Sequence, residues 1–77
     1  MAAVEWRSHP EVVQALATAA REDPATAVRV GCIHSLARMK ANTMPVLSVV
    51  RDLKNDPDPR VRQEAVQALS VLDPAAK

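Results

Sequence analysis

The sequence predicts an all-α fold: an α-solenoid of stacked antiparallel helix pairs with about four main helices. Three observations carry that prediction. The chain echoes itself at one fixed offset, with Asp23-Pro24 returning as Asp56-Pro57, Val28-Arg29 as Val61-Arg62 and Leu36 as Leu69. A fixed period in this range marks stacked units, each too small to bury its own apolar face. Apolar residues also recur at helical spacing in four segments, each tracing one stripe of a 3.6-residue period. Finally, no segment alternates in the manner of a strand, and the turn dipeptides of β-hairpins are absent.

The first helix is expected from about Pro10 to Glu22. Ser8 and Glu11 have the spacing of a capping box, in which Ser8 accepts a backbone hydrogen bond and Glu11 reaches back. Pro10 is tolerated in the first turn, where its missing N–H has no partner to lose. The stripe is Val13, Leu16, Ala17 and Ala20. The second helix is expected to begin at Asp23-Pro24, an acidic cap with proline just inside. Its stripe is Val28, Cys32, Leu36 and Met39, with Ile33 and Ser35 alongside. The third is capped by Asn42 or Thr43, carries Pro45 in its first turn and buries Val46, Val49, Val50 and Leu53. The fourth starts at Asp56-Pro57 or Asp58-Pro59, with the stripe Val61, Ala65, Ala68, Leu69 and Leu72. The tight turns at Asp23 and Asp56 force antiparallel hairpins.

Overlaying residues 9–39 on 42–72 gives six identities in 31 pairs, and they fall on punctuation and apolar positions. Pairs such as His34/Gln67, Gly31/Glu64 and Val30/Gln63 vary as surface does. This register assigns residues 1–8 to the tail of a preceding unit, 9–41 to a first repeat, 42–74 to a second and 75–77 to the start of a further unit. Trp6 lies one period before Met39 and is expected to pack on the first helix as Met39 packs on the third. The chain thus reads as one domain and as a piece of a longer array.

Composition narrows the function. A chain of 77 residues is near the lower limit for a core without staples. One cysteine allows no internal disulfide, and no metal-ligand cluster is spelled out. Trp6 is the single aromatic residue, which argues against stacking on bases or sugars. The net charge is +1 with acids and bases interspersed, so neither nucleic acid nor an anionic membrane is the expected partner. No apolar run is long enough to span a bilayer and no secretion-signal layout opens the chain, so a cytoplasmic location is expected. No Ser-His-Asp set, catalytic carboxylate pair or glycine-rich phosphate loop occurs, so no enzyme activity and no cofactor are expected.

Individual residues with chemical potential have plainer readings. Cys32 lies on a core stripe and aligns with Ala65, which makes it a small hydrophobe rather than a nucleophile. His34 aligns with Gln67 and reads as a solvated helix residue. Gly31 costs about 1 kcal/mol against Ala in mid-helix; it marks either a close approach by a neighbour or drift at an exposed site. Asp52, Asp56 and Asp58 lack the ligand density and loop glycine of a calcium site and read as turn and cap residues.

The paired motifs Asp23-Pro24, Val28-Arg29, Leu36 and Asp56-Pro57, Val61-Arg62, Leu69 resemble HEAT repeats. More narrowly, they are similar to the short bacterial HEAT-like repeats also found in phycobilisome lyase subunits. The stretch from Asp58 to Leu69 comes nearest to that pattern, and the resemblance covers nearly the whole chain. Pro10 and Pro45 stand at unequal distances before Asp23 and Asp56, off the usual first-helix proline position. The resemblance implies a ladder between repeats built from Asp23, Arg29, Asp56 and Arg62. An Arg fork meeting a carboxylate of the adjoining unit would set the stacking register.

The function expected from these features is a non-catalytic protein-interaction or scaffold module. In such arrays the second helix of each pair usually lines the concave, binding face. Here that face would carry Val30, His34, Arg38, Gln63, Gln67 and Ser70, a mixed set suited to a protein or peptide. The resemblance also permits an accessory lyase-type subunit handling a bilin pigment, or a DNA-binding HEAT-like domain, which would need a basic groove. Open apolar ends would further predict weak end-to-end self-association.

Overall fold

The computed structural model describes residues 8–74. The expectations for Trp6 and for the terminal segments 1–7 and 75–77 lie outside the described residues. Four helices follow one another: α1 (Pro10–Glu22), α2 (Thr26–Met39), α3 (Met44–Leu53) and α4 (Pro59–Leu72). Short turns join them, and no strand occurs among the described residues.

The ends of the helices show how local chemistry sets them. α1 runs over the residues its spacing predicts, but the capping box does not form. The cap is His9, whose side chain makes no capping hydrogen bond. Its carbonyl accepts from Val12 N–H at 3.0 Å, and Glu11 turns to His9 Nδ1 at 3.5 Å instead of reaching back to Ser8. α2 begins at Thr26, later than the acid–proline pair suggests. Asp23 closes α1, and its Oδ1 accepts from Ala25 N–H at 2.8 Å. That local carboxylate turn holds Pro24 in the connection, outside the helix. At α4 the second of the two candidate starts is used: Asp58 caps, accepting from Arg60 N–H at 2.9 Å, with Pro59 at the first helical position. α3 is capped by Thr43 without a side-chain bond, and Pro45 lies in its first turn.

α2 stops where Lys40 enters the left-handed region, at φ 54° and ψ 41°. Lys40 N–H donates to Ala37 O and Ala41 N–H to Leu36 O, a Schellman-type closure in which glycine is the usual residue. Ala41 is then tucked into the core.

One core lies between the helices. α1 contributes Val13, Ala17 and Ala20; α3 contributes Val46, Leu47, Val50 and Leu53; α4 contributes Val61, Ala65, Ala68, Leu69 and Leu72. α1 packs on α2 and α3 on α4, as antiparallel hairpins, while α2 also packs along α4 and α1 along α3. α2 and α4 run in parallel: Thr26 at the start of α2 meets Asp58 at the start of α4, and Lys40 past the end of α2 shares a recess with Val71 near the end of α4.

α2 departs from its predicted face. The residues it buries fully are Ile33, Leu36 and Ala37, while Val28 is exposed and Cys32 and Met39 are half-buried. The stripe expected to be core is therefore turned partly outward. The cause is position in the stack: the opposite flank of α2 is the one that α4 covers.

Candidate interaction groove between the second and fourth helices

A polar cluster joins the two helix pairs at one end of the seam between α2 and α4. Arg29 donates through Nη2 to Asp56 Oδ1 and through Nε to Ala20 O, the latter at 3.1 Å. One guanidinium thereby ties the end of α1 to the turn before α4. The side chains of Arg29 and Asp56 are only 16 and 8 % exposed. The other carboxylate oxygen of Asp56 accepts from Asp58 N–H at 2.9 Å. Thr26 Oγ1 donates to Asp58 Oδ2 at 2.9 Å, a second tie between the helix pairs. Arg62 is used differently, donating to the carbonyls of Asp56 and Pro57 in its own turn at 2.8 and 3.0 Å.

These contacts shift the acids. Burial pushes the Asp56 carboxyl up, but the hydrogen bonds from Arg29 and Asp58 N–H and the Arg29 charge outweigh it and hold the group below the usual carboxylate range. Asp58 is also held low, first by Arg60 N–H and then by the Thr26 hydroxyl. Asp52 faces Arg21 at 2.7 Å on the surface. All three acids thus serve turns, caps and ion pairs, and among the described residues no group of three His, Cys, Asp or Glu is placed to hold a metal. Burial, and then the negative charge of Asp23, push the Cys32 thiol up. Both effects disfavour the thiolate, which is the nucleophilic form.

Two adjoining recesses follow the seam between α2 and α4. The first, about 480 Å³, is lined by Thr26, Ala27, Val30, Arg60, Gln63, Glu64 and Gln67. The second, about 290 Å³, is lined by His34, Ala37, Arg38, Lys40, Glu64, Gln67, Ala68 and Val71. Glu64 and Gln67 belong to both, so the two make one shallow groove. His34 Nδ1 lies 3.6 Å from Glu64 Oε2 across it. Five of the six residues that the sequence nominated line this groove: Val30, His34, Arg38, Gln63 and Gln67. Ser70 is exposed on α4 but lines neither recess, and Val71 occupies that end.

Sequence reasoning missed Glu64, Thr26, Arg60 and Lys40. Helical spacing carried the signal for Glu64, which lies one turn before Gln67 on the same face. Thr26, Arg60 and Lys40 sit at helix ends, where the exit of the chain decides which residues project. A further apolar groove of about 620 Å³ lies on the opposite side, between α1 and α3, with Val13, Ala17, Val46 and Val49 in its walls.

The groove offers apolar floor, amide groups and separated charges. A family model for HEAT repeats matches residues 1–70. No curated protein and no solved structure matches the chain. The match covers most of the sequence and agrees with the stacked helix pairs: the chain belongs to the HEAT-repeat family.

Proposed function

We propose that this chain is a non-catalytic interaction module and that its partner, a protein or peptide, lies along the groove between α2 and α4. HEAT repeats generally mediate protein–protein interaction or scaffolding, and the family is typically non-catalytic. The observation that carries the finer reading is the continuity of the groove. Val30, Gln63 and Gln67 meet His34 and Arg38 in one surface, and α2 and α4 beneath it are joined by buried contacts that hold it in shape.

The character of the lining supports a peptide over other occupants. Glu64 lines both recesses, with Arg60 in one and Arg38 and Lys40 in the other, so the basic residues do not form an unbroken track for a phosphate backbone. A bilin would find neither an aromatic wall nor a thiol here, since Cys32 does not line either recess. The amides of Gln63 and Gln67 can instead serve backbone or side-chain groups of a partner, with Val30 and Ala37 beneath.

The test is selection of peptides on the immobilised chain from a displayed library. The triple variant His34→Ala, Arg38→Ala, Gln67→Ala alters exposed or groove residues only and should melt like the parent. It should bind the selected peptides at least about tenfold more weakly. Replacing Val49 in the groove between α1 and α3 should leave them bound. Peptides held equally by the triple variant would move the site off this face.

A further inference from the structure

The internal contact between the two helix pairs leaves its own halves open on the outer flanks. On α4, Val61, Ala65, Ala68 and Leu72 are all buried. Their equivalents one period earlier are Val28, Cys32, Ser35 and Met39, and none of these is buried. Val61 is 0 % exposed and Val28 is 44 % exposed. The converse holds on the other flank. Ile33 and Ala37 of α2 are covered, while their equivalents on α4, Val66 and Ser70, are exposed, Val66 at 52 % against 0 % for Ile33. Equivalent positions are therefore core on one side of the seam and exposed or only half-buried on the other.

The charges repeat the pattern. Asp56 uses one oxygen for its own turn and gives the other to Arg29 of the preceding helix pair. Asp23 also uses one oxygen for its own turn, through Ala25 N–H, and its second oxygen has no partner among the described residues. Arg62, the equivalent of Arg29, binds only carbonyls of its own turn through Nη1, and its Nη2 has no partner among the described residues. Each flank thus carries one half of the rung that the chain already makes once inside itself.

We infer that a second copy of this chain docks head to tail, placing Val66 of one copy against the Val28–Cys32 flank of the next and Arg62 against Asp23. The contact repeats the internal seam one period on. It is heterologous, so both flanks of every copy are used and the assembly grows by addition. It is independent of the groove between α2 and α4, which follows the internal seam and stays open.

The test is sedimentation equilibrium of the full chain at concentrations up to about 1 mM, with two charge variants. Arg62→Asp sets carboxylate against Asp23 of the neighbour, and Asp23→Arg sets guanidinium against Arg62. Each variant alone should stay monomeric. Mixed in equal amounts they should associate, because every contact in an alternating stack then pairs opposite charges. Val66→Asp changes an exposed residue, and a thermal melt verifies that it folds; it should weaken association of the chain at least about tenfold. A parent chain that is monomeric throughout, variants that associate alone, a mixture that does not, or a folded Val66→Asp that associates like the parent would each overturn the inference.

Discussion

Removing Arg29 should cost far more than removing Arg21, although each makes one ion pair with an aspartate. Arg21 Nη2 lies 2.7 Å from Asp52, but the two side chains are 48 and 65 % exposed. Such a pair is worth about 0.2–1 kcal/mol, because water and salt screen it and ordering two long side chains opposes it. The pair of Arg29 and Asp56 is 16 and 8 % exposed, and Arg29 also satisfies the carbonyl of Ala20. Deleting one partner of a buried pair leaves the other charge short of both partner and water, at about 3–5 kcal/mol. The partial exposure of Arg29 admits some water, so Arg29→Ala is expected to cost about 2–4 kcal/mol. A domain of this length has about 4–12 kcal/mol in total. Chemical denaturation of the parent, Arg29→Ala, Asp56→Ala and the double variant gives the coupling between the two residues directly. The double variant should lose less than the sum of the singles, by about 1–3 kcal/mol. The cycle for Arg21 and Asp52 should give a coupling below about 1 kcal/mol. Equal couplings in the two cycles would refute the claim that burial makes the Arg29 rung a register lock.

Three further outcomes follow from the same structure. Leu36 and Leu69 occupy equivalent buried positions, so either replacement by Ala should cost about 2–5 kcal/mol; a melt unchanged from the parent would contradict the core assignment. A Cβ added at Gly31 meets nothing within 4 Å, so Gly31→Ala should gain the helix propensity difference alone, about 0.8–1 kcal/mol, seen as a rise of about 4–8 °C in Tm. A fall in Tm would mean that the helix needs the glycine. Asp56 and Asp58 are held below the usual carboxylate range, so the unfolded chain binds more protons in acid. Their stabilisation is complete above the ordinary carboxylate pKa of about 4 and is lost as pH falls through the lowered folded values. Melts stepped from about pH 7 to about pH 2 should hold level to about pH 5 and then decline, less steeply in Asp56→Asn; a Tm indifferent to acid would exclude this linkage.

The groove was legible in part for a definite reason. Val30, His34, Arg38, Gln63 and Gln67 lie on the outward faces of two helices whose phase is set by their neighbours in sequence, so helical spacing alone selects them. Ser70 was nominated by the same rule, but the line of the seam between α2 and α4 passes over Val71. Lys40 joins the groove through the left-handed turn that ends α2, which periodicity does not encode. Glu64, one turn before Gln67 on the same face, was open to the helical rule.

Helix identity and the approximate bounds of each helix were determined by the sequence itself, because capping, proline placement and the 3.6-residue period act over short stretches of chain. The cap choices were closer to balanced: Ser8 lost to His9, and the carboxylate of Asp23 closed a turn instead of opening α2. Tertiary structure alone decided which flank of α2 is core. Val28 and Val61 are the same residue in the same motif, yet one is open and the other covered, because only Val61 has α2 stacked against it. The pairing of Arg29 with Asp56, which the repeat resemblance implied, takes its strength from the same stacking. Asp56 lies far along the chain, across the seam, and the free energy of that contact comes from a burial that stacking alone creates.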